Sequence, residues 1–347
     1  MDSVLRDVTV ISRDDAWAIG GSYVSEEGGR GRTLILHWDG SRWSAIRHPQ
    51  GRDDSLLAVD AASASDVWAV GLGHPQGLIL HWDGEGWHGV LAENPRTTFW
   101  HLTSVVAFAR DDAWAVGVTV NRGVSATLTE HWDGVRWSIV GSPDPPQPDD
   151  VSLSAGFTAV GGSTSSDVWA AGTWNLGGPA DTFDGLHTLI EHWDGDSWAL
   201  LPSPDDPDDE RITNYLVSVS AAGPANAWAV GLASKAQGFG GRSDRQLLEH
   251  WDGSAWRVTP GASLQGRTSL SDVMTVSSEQ AWAVGSRTAQ PDAKTLIERW
   301  NGTSWASERV TSVRGSLTGL AGRVPGEIWA VGVRGYRHQR TLAMSCT

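Results

Sequence analysis

A tetrapeptide opening on tryptophan recurs seven times along the chain, at Trp17, Trp68, Trp114, Trp169, Trp228, Trp282 and Trp329. Five copies read Trp-Ala-Val-Gly, and the other two differ only at the third residue. Successive starts lie 51, 46, 55, 59, 54 and 47 residues apart. A period near fifty implies one repeated supersecondary unit, and a unit of that kind buries its apolar faces only against its neighbours.

The second repeat shows what the unit contains. Ser55 to Ala61 reads as a short first strand, closed by a turn at Ser63 to Asp66. Val67-Trp68-Ala69-Val70-Gly71 is apolar on both faces, as expected of a strand sandwiched between sheets. Leu78 to Trp82 is a third strand, Asp83-Gly84 a hairpin turn, and Trp87 opens a fourth. The pattern predicts an all-β, seven-bladed β-propeller with four-stranded antiparallel blades in one domain, residues 1–347. The blades fall at about 1–50, 51–96, 97–147, 148–207, 208–263, 264–312 and 313–347. The seventh repeat has neither the Asp-Gly turn nor a fourth-strand Trp, so its blade is expected to hold three strands. The first repeat starts directly at a first strand, so no exchanged closing strand is expected. An open outer edge of that kind is a place for association.

Nineteen of the 21 Trp occupy repeat positions, and only Trp100 and Trp174 stand outside them. At roughly 150–250 Å² buried apiece, they read as the material that joins neighbouring blades. The third-strand motif His-Trp-Asp-Gly recurs from His37, His81, His131, His192 and His250, and its sixth copy is Arg299-Trp300-Asn301-Gly302. These histidines sit at equivalent positions on different blades. They read as structural hydrogen-bonding groups, not as metal ligands.

The Asp-Gly-x-x-Trp hairpin, paired with an Asp-Val-Trp-Ala-Val-Gly strand, resembles bacterial propellers with tectonin-like or Asp-box-like Trp-rich repeats. The likeness spans essentially the whole chain. Asp-box sialidases space the turn Asp and the Trp one residue further apart than Asp39 and Trp43. The box is a structural turn in those relatives, so the resemblance implies the fold and carries over no catalytic residue.

Net charge is −15, with no basic stripe to release counterions from a phosphate backbone, so nucleic acid is not an expected partner. The single Cys346 excludes an intramolecular disulfide. No apolar run approaches membrane-spanning length and the N-terminus lacks an apolar signal core, so no membrane partner is expected. The expected compartment is cytoplasmic, although a mature secreted domain would read the same way.

Strand order decides which face works. The turns joining strands one and two, and three and four, are short and nearly constant. The second-to-third and blade-to-blade connections open on the opposite face and vary widely, so function is expected there. Two of these linkers are acidic and Pro-rich, at 142–150 and 204–210. Unequal loops favour one composite pocket over the channel, for a small-molecule, glycan or peptide-like ligand. Trp100, Trp174, Phe183, His187 and Asn214 are its candidate binding residues. The alternative is an enzyme at the same mouth, a hydrolase, lyase or cyclase using His101, Asp54 and Tyr215 as acid–base groups, with Asp54 orienting His101. A protein-interaction scaffold is a third reading.

Aligned on the repeat Trp, the position ten residues earlier holds Asp7, Ala58, Ser104, Ala159, Ser218, Asp272 and Gly319. If that position faces the channel, Asp7 and Asp272 flank the open space at Gly319. Such carboxylates either hold a divalent cation or are solvated separately by water and backbone amides. No other cofactor is expected.

Overall fold

In the computed structural model the chain forms seven antiparallel sheets set as blades around a central channel. The structure describes residues 2–23, 32–51, 54–73, 76–147, 151–177, 185–205, 212–237, 241–289, 292–308, 313–322, 327–335 and 339–346. Six sheets are four-stranded meanders whose first strand lines the channel. Blade 1, for example, is built from Asp2–Ser12, Asp15–Tyr23, Arg32–Trp38 and Trp43–Ala45. Blade 7 has three strands, Gly315–Gly322, Ile328–Arg334 and Arg340–Cys346. Among the described residues no strand passes from one end of the chain into the other end's sheet. Blades 7 and 1 close the ring by packing, with Leu5 and Val8 against Trp329 and Val331. No helix among the described residues is long and apolar enough to cross a membrane.

Every first strand carries a one-residue bulge at the same place, after Leu5, Leu56, Leu102, Phe157, Leu216, Leu270 and Leu317. A bulge bends the strand and re-aims the side chains on either side of it. The apolar residue before the bulge turns into the blade seam, and the residue after it, the ten-before position, turns to the channel. Where the bulged residue is Thr, its hydroxyl bridges blades. The Thr103 Oγ1 lies 3.1 Å from the Val116 carbonyl of its own blade and 2.9 Å from the Phe157 carbonyl of the next.

The repeated Trp forms the seams. Trp17, Trp68, Trp114, Trp169 and Trp228 are at most 1% exposed. Each meets two Trp of the following blade, one on its third strand and one edge-on from its fourth. Trp68 illustrates this, with Trp132 at 5.0 Å and Trp137 at 5.1 Å and 89°. Edge-to-face pairs of this kind add to the apolar area they bury. The opposite face of each ring rests on the His of its own third strand, as Trp68 does on His81 at 4.0 Å.

Those histidines bond to the residue two before the Trp. His37, His81, His131 and His192 meet Asp15, Asp66, Asp112 and Asp167 at 2.6–2.9 Å, and His250 meets Asn226 at 3.0 Å. Their role is structural. The Asp-Gly turns are equally local. Asp39 accepts from the Ser41 hydroxyl and from the Ser41 and Arg42 amides, which holds its carboxyl down at about 2. Gly40 supplies the positive φ of 85° that the turn needs.

Candidate functional site

Three concavities lie along the axis or at its variable-loop end. The channel itself is a cavity of about 410 Å³ lined by first-strand residues of all seven blades, among them Asp7, Asp60, Ser104, Ser218 and Asp272. A cavity of about 450 Å³ opens between blades 5 and 6, walled by Tyr215, Leu232, Ser234, Asp244, Ser269 and Ser271. A third, of about 280 Å³, opens between blades 3 and 4, where His101 faces Ser125, Ser154, Thr173 and Asn175.

Tyr215 and His101 share one repeat position, thirteen residues before the Trp, where four of the seven blades carry Ser or Gly. That position opens the first strand, next to the blade-to-blade connection, and so sits at the channel mouth on the variable face. His101 is half-buried and its Nδ1 has no partner among the described residues. Burial pushes the imidazole below its ordinary value, so the ring is uncharged at neutral pH. In the other cavity Asp244 accepts from the Ser234 hydroxyl at 2.6 Å and lies 4.0 Å from the Arg267 guanidinium.

The expected residues separate into groups. No hydrogen bond among the described residues joins Asp54 to His101, because the Asp54 carboxylate turns back onto the Gly51 amide of its own loop. Trp100 is 2% exposed and belongs to the seam of blades 2 and 3, where its ring fills the space a side chain at Gly77 would need. Asn214 is also buried, with its backbone N–H donated to the Leu186 carbonyl at 2.8 Å. Stacking of a ligand on Trp100 would require that seam to open. Phe183 lies outside the described residues.

Trp174 and His187 do come together. They are cross-strand partners on blade 4 with ring centroids 4.7 Å apart, and the indole donates to the Thr188 carbonyl at 3.1 Å. The acidic linker joins them, since Asp205 meets the His187 Nδ1 at 2.5 Å and the Thr188 amide at 2.9 Å. In the sequence Asp205 is one residue of an acidic, Pro-rich linker, and nothing in its spacing marks it as the partner of His187.

Asp7 and Asp272 both face the channel, each fully occupied by donors. Asp7 accepts from the Val8 amide and from Val59 of blade 2, both at 2.8 Å. Asp272 accepts from the Ser218 hydroxyl of blade 5 at 2.6 Å, the Val273 amide at 2.8 Å and the Leu320 amide of blade 7 at 2.6 Å. Asp60, which sequence reasoning missed, bonds the Thr9 hydroxyl and the Ala107 amide of blade 3. Burial raises the values of all three carboxyls, that of Asp272 to about 6, and the Asp272 charge raises Asp7 further. Among the described residues no group of three or more acidic, His or Cys side chains has metal-site geometry.

A second set of acids also went unread. Glu130, Glu191, Glu249 and Glu298 are fully buried on the third strands of blades 3 to 6. Glu130, Glu249 and Glu298 anchor the connection arriving from the preceding blade, Glu130 by accepting the Glu93 amide at 3.2 Å. Glu249 accepts from the Ser203 hydroxyl at 2.8 Å, and Glu298 from the Ala262 amide at 3.1 Å. Burial pushes Glu130, Glu191 and Glu249 up to about 8 and raises Glu298 as well. The available signal was a lone acid within an apolar strand, Glu before His-Trp or Arg-Trp where blades 1 and 2 have Leu36 and Leu80.

No protein-family model matches the chain, and no curated protein matches it in sequence. Solved structures do match. An ulvan lyase of polysaccharide lyase family PL25 superposes with a TM-score of 0.66 at 10% identity, over 99% of this chain and 93% of that one. YCF48 bound to D1 peptide gives 0.57 at 13% identity, over 96% and 90%. The β-propeller domain of the Trilobed protease from Pyrococcus furiosus, described as having an open velcro topology, gives 0.56 at 9% identity, over 99% and 95%. At these identities the likeness is one of fold: the chain is a seven-bladed β-propeller whose ring closes without a shared strand.

Proposed function

We propose that the chain is a ligand-binding propeller with one composite site on the variable-loop face over the channel, taking a glycan or peptide-like ligand. The observation that carries this reading is the pair of cavities at His101 and Tyr215, the two bulky polar departures from a ring of mostly small side chains. Each cavity shares lining residues with the channel, Val217 and Ser271 at one and Thr103 and Thr158 at the other, and their aromatic, imidazole and hydroxyl groups suit a polyhydroxylated ligand. Hydroxyl and amide groups fix its orientation while a ring supplies apolar contact. Two structural neighbours support the class of ligand, since one is a polysaccharide lyase and the other is bound to a peptide. The net charge of −15 argues against nucleic acid as the partner.

A second reading, an acid–base enzyme at the same mouth, is favoured by His101, whose uncharged imidazole lines the smaller cavity. Such a group accepts a proton from a bound substrate without first losing one. The two readings part experimentally. A thermal-shift panel of oligosaccharides and short peptides should give a hit that Tyr215→Ala abolishes. A ligand at about a hundred times its Kd stabilises the fold by roughly 2.7 kcal/mol. If His101→Ala keeps binding but ends turnover of the same compound, the enzyme reading holds. If no compound shifts the melting of the parent protein, the composite site is lost as a proposal.

A further inference from the structure

The seam between blades 6 and 7 differs from the others. In each other seam, the repeated Trp of one blade is covered by a third-strand and a fourth-strand Trp of the next. Trp17 meets Trp82 and Trp87, Trp228 meets Trp300 and Trp305, and Trp329 meets Trp38 and Trp43. Trp282 of blade 6 has neither. Its own Arg299 lies over one face at 5.3 Å, it packs with Ile328 and Met344 of blade 7 against one shared apolar cluster, and the ring stays partly exposed. The residue of blade 7 at the third-strand Trp position is Cys346, paired with Ile328 as Trp300 is with Ala281.

The edge beside Trp282 is also an open hydrogen-bonding row. In blade 6 the backbone groups of Ile297, Arg299 and Asn301 face the fourth strand. There the Glu308 amide donates to Ile297 at 2.9 Å and Asn301 donates to Ser304 at 3.3 Å. Arg299 pairs with Trp282 as Ser345 pairs with Trp329, so Ala343 and Ser345 are the corresponding residues of blade 7. Both are exposed, and no outer strand among the described residues takes up their outward amides and carbonyls. An open edge of this kind is a template for an added strand.

We propose that this edge is a strand-acceptor site for an extended segment of a partner polypeptide that carries a tryptophan. The segment runs antiparallel to Arg340–Cys346, its backbone pairs with Ala343 and Ser345, and its indole lies edge-on to Trp282. The register and the residue type are those with which the chain fills the same place in its six other seams. This inference stands apart from the variable-face site and would survive that site's failure.

The test uses the chain's own outer strand as probe. A labelled peptide with the sequence of residues 194–202, which contains the Trp198–Leu201 strand, is titrated into the full chain and followed by fluorescence anisotropy. Saturable binding is expected, at least tenfold tighter than for the same peptide with Trp198→Ala. Ser345→Pro removes one outward amide from an edge strand, a position where proline is tolerated. It should abolish binding while the melting temperature stays within a few degrees. The proposal fails if binding does not saturate, if the Trp and Ala peptides bind alike, or if Ser345→Pro binds normally. Sedimentation without peptide provides a separate arm: a concentration-dependent dimer that Ser345→Pro disrupts would make a second copy the occupant and overturn the partner-strand assignment.

Discussion

The Asp272 carboxylate of blade 6 accepts the Leu320 amide of blade 7 at 2.6 Å, across the one seam that lacks the tryptophan pair. Its other oxygen holds Ser218 of blade 5, so a single side chain ties three successive blades at the channel wall. Removing it leaves the Leu320 amide and the Ser218 hydroxyl in a confined channel without this acceptor, while the Val273 amide keeps the Ser218 oxygen at 3.2 Å, and an unmet donor costs more than the net value of its bond. Asp272→Ala should destabilise the ring by roughly 1–3 kcal/mol in chemical denaturation. Asp272→Asn keeps one acceptor oxygen and should cost less. Equal losses for the two variants would show that the charge, not the acceptor geometry, matters.

The seams predict a graded response to the same substitution. Trp228 is fully buried between His250 and the pair Trp300 and Trp305, so Trp228→Ala should cost roughly 3–5 kcal/mol. Trp282→Ala removes a partly exposed ring with no Trp against it and should cost clearly less. Urea denaturation of the two variants under identical conditions checks this. A Trp282 loss as large as that at Trp228 would mean that Ile328 and Met344 already seal the last seam.

The buried glutamates make stability depend on pH in a defined direction. The Glu249 carboxyl lies at about 8 in the folded chain against an ordinary value of 4.5. Below 4.5 both states hold the proton. Between 4.5 and 8 the folded state binds more protons than the unfolded one, so stability falls as pH rises, by up to about 1.4 kcal/mol per unit for one such group. The contribution is present in acid and is lost once pH passes the folded value. Glu130 and Glu191 act in the same sense. The melting temperature should therefore fall from pH 5 to pH 8.5, and Glu249→Gln should flatten that slope. A melting temperature that rises over this range would contradict the assignment.

Much of this architecture was legible because repeats repeat their physics. Trp on the second, third and fourth strands of blades 1 to 6 and the Asp-Gly turns read directly as seam and hairpin. The channel-facing register at Asp7 and Asp272 was legible too, since departures from small residues stand out in an aligned ring. Burial without repetition was harder to see. Trp100 lay outside the repeat and so looked available to a ligand, yet it fills the space left by Gly77, 23 residues earlier in the sequence but adjacent across a seam. Asp205 reached His187 through a linker whose path no periodicity encodes. The bulge that turns the ten-before residues inward was equally invisible, because a one-residue insertion common to all seven blades leaves the spacing between them unchanged.

That bulge accounts for the glycine closing each tetrapeptide and ties the scaffold to the candidate site. Gly231 pairs with Leu216 directly before the bulge, and a Cβ there would overlap the Tyr215 carbonyl. Gly231→Ala must therefore push the first strand of blade 5 outward at the residue that walls the larger cavity. Overpacking of this kind costs roughly 1–3 kcal/mol. The same change at Gly89, where a Cβ meets nothing within 4 Å, should be close to neutral. Thermal denaturation of both variants tests the scaffold. For any ligand lost in Tyr215→Ala, Gly231→Ala should weaken binding even at temperatures where the variant remains fully folded. Unchanged affinity in a destabilised Gly231→Ala would separate the bulge from the site and leave Tyr215 positioned by its pairing with Leu232.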